Sequence, residues 1–176
     1  MRREKIELKA HHPPLQYSTA YSFDRYDKKI LQELDENARS SLADLAKEVG
    51  LSRDAIRNRI KKMVDKKVIL AFSPIYNPPA MGYPIINYVL LSLYNPSEEE
   101  EKKFLTFLKG NKHVTYVAGL IGKWDFIIDV IAENPGQFDK IVKDIRQRFP
   151  DIIKDYEVYG VLQEYKYEEI GKVVYG

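Results

Sequence analysis

The sequence contains no cysteine among its 176 residues, which excludes disulfide bonds and thiol chemistry and makes a cytoplasmic location the expectation. No apolar run approaches the roughly 18 residues that a membrane-spanning helix needs, so we expect no transmembrane segment. Residues 1–22 are basic and polar without an apolar stretch, so we do not expect a secretory signal there. The sequence also shows no metal-ligand cluster, nucleophile triad or phosphate-binding loop. We therefore expect no cofactor, no metal and no enzymatic activity.

Charge is distributed unevenly along the chain, whose net charge is +2. Residues 1–76 contain 16 Lys and Arg against 11 Asp and Glu, a balance of +5, whereas residues 77–176 contain 12 against 15, a balance of −3. A basic segment attracts a polyanion and an acidic segment repels it. The charge pattern therefore makes the first half the candidate for nucleic-acid binding.

Residues 23–70 carry the boundary signals of three short helices. The predicted helices begin at residues that cap helix N-termini well, Asp24, Ser41 and Ser52, and the first two have an acidic residue three positions later. Gly50 is the expected stop of the second helix, because glycine adopts the left-handed conformation readily. Only a tight turn then separates the second helix from the third. This arrangement is typical of a helix-turn-helix DNA reader.

The third predicted helix has an apolar face and a charged face. Ile56, Ile60 and Met63 recur at helical spacing and are expected in the core. Arg59 adjoins this apolar stripe, and partial burial is an alternative for it. The candidate DNA-binding residues are the polar side chains at the cap and on the other faces of the helix: Ser52, Arg53, Asp54, Arg57, Asn58, Arg59, Lys61 and Lys62.

A helix of this kind fits the major groove of DNA, where its N-terminal residues reach base edges. Arg53, Arg57 and Asn58 are able to make paired hydrogen bonds to guanine or adenine edges. The hydroxyl of the cap and the remaining cations suit phosphate contacts, which set affinity without specifying sequence. The alternative is a solvated basic helix in an ordinary helical domain, but the ordered helix boundaries favour DNA binding.

The second half of the sequence alternates predicted strands with predicted helices. Residues 68–76 are rich in β-branched and aromatic side chains and are expected to form a wing or hinge strand, and a Pro-containing linker follows at residues 77–83. From there the order is β-α-β-β-α-β. We therefore predict an α+β chain with an N-terminal (winged) helix-turn-helix domain at residues 23–76 and a C-terminal ferredoxin-like βαββαβ domain at residues 84–176. Such a domain leaves one sheet face open, which favours dimerisation.

With these motifs in this order, the sequence closely resembles the Lrp/AsnC (feast/famine) family of prokaryotic transcription regulators over about residues 22–165. The segments that carry the resemblance are DRYDKKIL, RSSLADLA, GLS, RIKKM and VI in the first half, and MGY and GKWD in the second. The resemblance implies a DNA-binding regulator that responds to an amino acid or related metabolite. It also implies homodimers through the ferredoxin-like domain, often assembled into octamers, with the effector bound between dimers. The implied partners are double-stranded DNA, the effector and further copies of the chain.

The resemblance also implies an effector region on the second strand and turn of the C-terminal domain: Thr115, Val117, Gly119, Gly122, Lys123, Trp124 and Asp125. The chemistry suits a zwitterion, because Asp125 is able to pair an ammonium group, Lys123 a carboxylate, and the glycines permit close backbone approach. The alternative is that these residues form only a hairpin turn in which Asp125 bonds local backbone.

Two features depart from the family pattern. Lys67 occupies the position after the third helix where the family usually has glycine, so this cap is either strained or differently shaped. The basic extension at residues 1–22 lies outside the resemblance, and either its cations contact DNA or it has no fixed structure.

Two other function classes share this architecture. Relatives with the two-domain plan include haem-pathway decarboxylases that use a histidine. Here His113 is the only histidine of the predicted folded part, and its polar neighbour Lys112 favours a surface position. The second alternative is a metabolite sensor that does not bind DNA, and the intact basic set on the third helix argues against it.

Overall fold

The structure, a computed structural model, describes residues 20–166 and 170–176. Residues 1–19 of the basic extension lie outside the described residues, and so do the two alternatives predicted for them. Within the described ranges, every helix is too short or too polar to cross a lipid bilayer.

The described chain divides into two compact units. Of the described residues, one unit holds residues 20–74 together with Lys166 and residues 170–176, and the other holds Ile75–Tyr165. The sequence pattern, in contrast, predicts a single C-terminal domain at residues 84–176. The difference arises because the last residues of the chain pack in the first unit.

The first unit is built on three helices, α1 (Arg25–Glu36), α2 (Leu42–Val49) and α3 (Arg53–Asp65). Each helix is capped by the predicted residue, because the side chains of Asp24, Ser41 and Ser52 accept hydrogen bonds from backbone N–H groups of the first turn. Gly50 ends α2 in the left-handed conformation, with a φ of 79°. The predicted helix boundaries are confirmed.

The apolar faces of these helices meet in one core. Its buried members are Ile30, Leu34, Leu45, Val49, Ile56, Ile60 and Met63. Burial of each large aliphatic side chain contributes about 1.5–3 kcal/mol, which makes this core the main source of stability of the unit. Because Ile56, Ile60 and Met63 face the core, the polar side chains of α3 are turned outward.

The C-terminal end of α3 keeps its shape without a glycine. Lys67 has a φ of 58°, the left-handed conformation that glycine adopts at lower cost. The N–H groups of Lys67 and Val68 donate to the carbonyl oxygens of Val64 and Met63 at 2.9 and 2.8 Å, which is the Schellman arrangement. Of the two alternatives, a strained cap of the usual shape is the one observed.

The second unit has the predicted βαββαβ order: β1 (Ile85–Leu93), α4 (Glu98–Gly110), β2 (Val114–Gly119), β3 (Phe126–Ala132), α5 (Pro135–Arg148) and β4 (Ile153–Gly160). The strands form one antiparallel sheet in the order β2-β3-β1-β4. Alternate residues of β3 are buried in a core that includes Phe104 of α4 and Ile145 of α5. The residues between them, including Ile127 and Asp129, point to the opposite face. The predicted ferredoxin-like fold is confirmed.

The predicted wing or hinge strand at residues 68–76 is wrong, because these residues form no strand. Val68 and Ile69 pack against the core of the first unit instead. Farther on, Ile75 and Tyr76 are 70% and 61% exposed. A strand propensity expresses how well a residue packs on a pleated surface, and in the described part of the chain no strand lies beside this segment.

A short C-terminal helix, α6 (Gly171–Tyr175), was not predicted from the sequence. It packs on α1, where the Tyr175 hydroxyl donates a 2.7 Å hydrogen bond to Oδ2 of Asp35. This contact explains why the end of the chain belongs to the first unit.

Candidate DNA interface and effector region

The outward face of α3 presents the candidate DNA-binding side chains to solvent. Seven of the eight candidates are exposed: Ser52, Arg53, Asp54, Arg57, Asn58, Lys61 and Lys62. Since Ile56 and Met63 on the opposite face are fully buried, the face has a fixed orientation within the first unit. A helix held in this way presents its polar groups in a defined arrangement.

Arg57 and Asp54 form an exposed pair one turn apart on α3. Nη1 of Arg57 lies 2.6 Å from Oδ1 of Asp54, and the two side chains are 48% and 81% exposed. At this exposure the attraction contributes only about 0–1 kcal/mol to stability. Its consequence is geometric, because the guanidinium is drawn toward the N-terminal part of the helix, from which helix-turn-helix proteins contact base edges.

Arg59 is the exception on this helix, because its guanidinium is engaged inside the first unit. Its Nη1 atom lies 2.7 Å from Oδ2 of Asp24 and 2.7 Å from Oδ1 of Asp27. Asp27 is only 3% exposed, and the Tyr21 hydroxyl donates a further hydrogen bond to it at 3.2 Å. The alternative of a partly buried Arg59 is therefore the observed one, and this side chain ties α3 to the N-terminus of α1.

Hydrogen bonds in this network favour the ionised forms of Asp24 and Arg59. The hydrogen bond from the backbone N–H of Asp27 is the main cause that lowers the pKa of Asp24; desolvation opposes it, and the Arg59 guanidinium adds to the lowering. The hydrogen bond to Asp27 in turn raises the pKa of Arg59 above its already high value, against desolvation. Asp24 thus caps α1 and anchors α3 with the same carboxylate.

Lys61 and Lys62 lie in the second half of α3. The ammonium group of Lys62 lies 5.3 Å from the centre of the Tyr21 ring, within the range of a cation–π contact. Both lysines remain exposed to solvent. Ammonium groups in this position suit phosphate contacts beside the major groove.

The candidate effector residues on β2 are Thr115, Val117 and Gly119. The Thr115 hydroxyl donates a 2.6 Å hydrogen bond to Oδ2 of Asp129 on the neighbouring strand. Val117 packs against the core of the second unit. The two side chains therefore stabilise the sheet.

Asp125, in the loop between β2 and β3, fastens that loop to β1. Its Oδ2 atom accepts a 2.7 Å hydrogen bond from the N–H of Leu93. Its own N–H donates to the carbonyl oxygen of Leu91 at 2.9 Å. One carboxylate oxygen of Asp125 thus bonds backbone, as in the alternative that the sequence left open. The backbone concerned belongs to β1, however, and not to the turn itself.

The rest of this loop presents a cation, an aromatic ring and an unusual backbone conformation. The Lys123 ammonium lies 4.6 Å from the centre of the Trp124 ring; Lys123 is exposed and Trp124 half-buried. Gly122 has a φ of 142°, which residues with a side chain rarely adopt. A shallow surface recess of about 300 Å³ lies elsewhere, along α4, and contains none of the candidate effector residues.

Asp129 is not among the site residues predicted from the sequence. It lies on the open face of the sheet and pairs in register with Tyr88 on β1 and Tyr116 on β2. One of its oxygens accepts the Thr115 hydrogen bond, and the other is buried without a hydrogen-bond partner among the described residues. Burial is the main cause that raises the pKa of Asp129; the Thr115 hydrogen bond opposes it and the charge of Glu164 adds to it. The signal in the sequence is a lone acid among the isoleucines of FIIDVIA.

His113 has a structural contact. Its Nδ1 atom lies 3.2 Å from the carbonyl oxygen of Ile131. Within the residues that the structure describes, no group of three or more His, Cys, Asp or Glu is arranged to hold a metal ion.

Comparison with known proteins finds relatives that extend well beyond the helix-turn-helix segment. Residues 23–64 match the AsnC-type helix-turn-helix domain. The chain is 31% identical over 122 residues to the HTH-type transcriptional regulator Ptr1 of Methanocaldococcus jannaschii, covering 69% of this chain and 80% of that protein. Its structure is similar to that of E. coli AsnC, with a TM-score of 0.74 and 26% identity over 86% of this chain and 99% of that one. It also shares the fold of a Neisseria meningitidis transcriptional regulator solved as a complex with L-Met, with a TM-score of 0.75 and 22% identity over 84% of this chain and 95% of that one.

Proposed function

This chain belongs to the Lrp/AsnC family of helix-turn-helix transcriptional regulators, and it is therefore a regulator and not an enzyme. We propose that it binds a two-fold-related DNA site through α3 and that it responds to a small metabolite. The observation that carries the proposal is the outward face of α3. It combines groups that suit base edges, on Arg53, Arg57 and Asn58, with the exposed lysines Lys61 and Lys62 for phosphates. A DNA partner implies that the protein acts in the cytoplasm, where a prokaryotic chromosome lies.

The proposed contact set differs in one member from that expected from the sequence. Arg59 is left out, because Asp24 and Asp27 hold its guanidinium. Arg57 is the leading candidate for a base contact, since its exposed pair with Asp54 is weak and is readily exchanged for the O6 and N7 atoms of guanine. Asp54 is then able to accept a hydrogen bond from the N4 amino group of a cytosine.

The test begins with selection of an operator from fragmented genomic DNA, followed by affinity measurements over a range of salt concentrations. We expect Arg57→Ala to weaken binding of the selected site by about 1–3 kcal/mol and to relax the base preference at one position. We expect Lys61→Ala to weaken all sequences alike and to lower the slope of log affinity against log salt by about one.

A matched control for charge removal is Lys140→Ala, because Lys140 is an exposed lysine on α5 of the second unit. It should leave affinity, base preference and salt slope unchanged. If Arg57→Ala and Lys61→Ala both bind the selected operator as the parent does across the salt range, the proposal for α3 is wrong.

We further propose that the effector is an amino acid or a related zwitterion bound beside the β2–β3 loop, between copies of the chain. The Lys123 ammonium suits a carboxylate, and the Trp124 ring, half-buried beside it, suits an apolar side chain. A regulator of the same fold was solved as a complex with L-Met, which supports an amino acid as the ligand class.

We also propose that the chain forms a homodimer through the second unit, with octamers as the higher assembly. The open face of its sheet carries half-buried isoleucines, including Ile127 and Ile131, and a second copy that covers them removes this apolar surface from water. A helix-turn-helix dimer requires half-sites about one helical turn apart, or a multiple of this distance.

The effector is tested by a thermal-shift screen of the standard amino acids, with the oligomer distribution measured in parallel by light scattering. A ligand that prefers one assembly raises the melting temperature and shifts that distribution. Lys123→Ala should remove both responses, whereas Lys154→Ala, at an exposed lysine of β4, should keep them. A response that Lys123→Ala retains in full argues against this site, and a monomeric parent argues against the proposed assembly.

A further inference from the structure

The helix α6 belongs to the first unit although it follows the second unit in the sequence. The chain therefore leaves the first unit at Pro74 and returns to it at Lys166. A helix of five residues does not persist alone in water, since isolated helices shorter than about 12–15 residues are marginal. The order of α6 must come from the surface on which it packs, which is α1.

Two residues one turn apart on α6 meet the same carboxylate of α1. The Tyr175 hydroxyl donates a 2.7 Å hydrogen bond to Oδ2 of Asp35. Gly171 lies so close that a Cβ atom there would overlap this oxygen and lie 2.9 Å from Cγ of Asp35. Glycine is the residue that fits this approach, and the spacing of four places both contacts on one side of the helix.

The residues of α6 that are half-buried lie on the side that faces α1. Gly171, Val174 and Tyr175 are half-buried, whereas Lys172 and Val173 are exposed. Positions three and four residues apart share one face of a helix. The helix thus has a docking side and a solvent side.

We propose that α6 is a strap that holds the C-terminal part of α1 and so completes the DNA-binding unit. The other end of α1 anchors α3, through the ion pairs of Asp24 and Asp27 with Arg59. A strap at Asp35 therefore supports the helix on which α3 depends. It also makes residues 75–165 an insertion between two parts of the DNA-binding unit.

The first test is Gly171→Ala in the full chain. The added methyl group meets the Asp35 carboxylate, which has to turn away, so the hydrogen bond from Tyr175 is lost and the hold of α6 on α1 is weakened. Hydrogen exchange of the α1 amides near Asp35 should then rise about tenfold, while exchange in β3 stays unchanged, because exchange reports local opening. The matched control is Gly110→Ala at the end of α4, where an added Cβ atom meets nothing within 4 Å, and it should change neither region.

Two further variants separate the contact from general damage to the C-terminus. Tyr175→Phe removes only the hydroxyl and should raise α1 exchange by about fivefold, the effect of one lost hydrogen bond. Asp35→Ala removes the group with which the new methyl collides. Gly171→Ala should therefore have a smaller additional effect in the Asp35→Ala background than in the parent, as expected for contacting residues.

Unchanged α1 exchange in both Gly171→Ala and Tyr175→Phe overturns the inference. So does an effect of Gly171→Ala that is the same with and without Asp35. A second readout rests on the proposed function: Gly171→Ala should weaken binding of the selected operator, and Gly110→Ala should not. A parent that binds no DNA would defeat the proposed function, but it would leave the exchange experiment as a valid test of the strap.

Discussion

The helix α3 and the β2–β3 region differ in how many of their candidate polar side chains the fold engages. On α3 the fold engages Arg59, while Arg53, Arg57 and the lysines face solvent. In the β2–β3 region the fold engages Thr115 and Asp125, and Lys123 faces solvent. The cause is geometric: a helix satisfies its own backbone and needs only one face for packing, whereas the ends of strands and their loops need polar groups to complete their hydrogen bonds. A polar helix face is therefore the stronger indication of a binding surface.

The largest expected effect concerns the two arginines of α3 that lie two residues apart. Arg59→Ala leaves the buried Asp27 without its cation and should lower the free energy of unfolding of the first unit by about 3 kcal/mol. Arg57→Ala removes only an exposed pair and should cost at most about 1 kcal/mol. Urea denaturation followed by the NMR signals of α1 measures both. Equal losses in the two variants would remove the distinction between structural and exposed cations on this helix.

The next effect concerns the two charged residues of the β2–β3 loop. Asp125→Ala breaks the bond to the N–H of Leu93 and should destabilise the second unit by about 1–2 kcal/mol. Lys123→Ala should be nearly neutral, because its exposed contact with the ring of Trp124 is weak. Denaturation followed by tryptophan fluorescence reports this unit selectively, because Trp124 is the only tryptophan of the chain. If Asp125→Ala is as stable as the parent, its carboxylate is available to a ligand after all.

The helix boundaries of the first unit were predictable because they depend on local chemistry. Asp24, Ser41 and Ser52 cap helices through bonds within three residues of themselves, so the sequence contains both partners. Whether Arg59 is buried or exposed was not predictable from the sequence, for the opposite reason. Its partners Asp24 and Asp27 lie more than 30 residues away, and only the packed unit brings them together.

The same limit explains the errors in the rest of the chain. The β-branched residues after Lys67 predicted a strand, but a strand needs a partner strand, which periodicity does not reveal. The docking of α6 depends on long-range contacts of Gly171 and Tyr175 with Asp35, which no local pattern indicates. The bond of Asp125 to Leu93 likewise depends on the pairing of β1 with β3, which sets the two residues side by side.

The smallest expected effect concerns Asp129, a carboxylate of the second unit that the fold engages only in part. Because burial raises its pKa above the ordinary value of 3.8, the folded state binds a proton more readily than the unfolded state does. The stability that comes from a protonated Asp129 is therefore fully present below pH 3.8, and it is lost as pH rises through the folded-state pKa. Asp129→Asn removes the charge and should stabilise the unit by about 1 kcal/mol at pH 7, where the parent carries a buried oxygen to which no described residue donates a hydrogen bond.

That gain should shrink as pH falls toward 4, because the parent then becomes protonated too. Acidification also protonates the first-turn carboxylates Asp44 and Glu100 and so removes their contribution to stability. The pKa of each is lowered by the hydrogen bond from its serine, Ser41 or Ser97. That loss is common to both proteins, so the difference between parent and variant isolates Asp129. The urea midpoints of Trp124 fluorescence at pH 7 and pH 4 give the measurement. A difference that does not change with pH, or an Asp129→Asn variant less stable than the parent at pH 7, would mean that this carboxylate is compensated as fully as the ones that cap the helices.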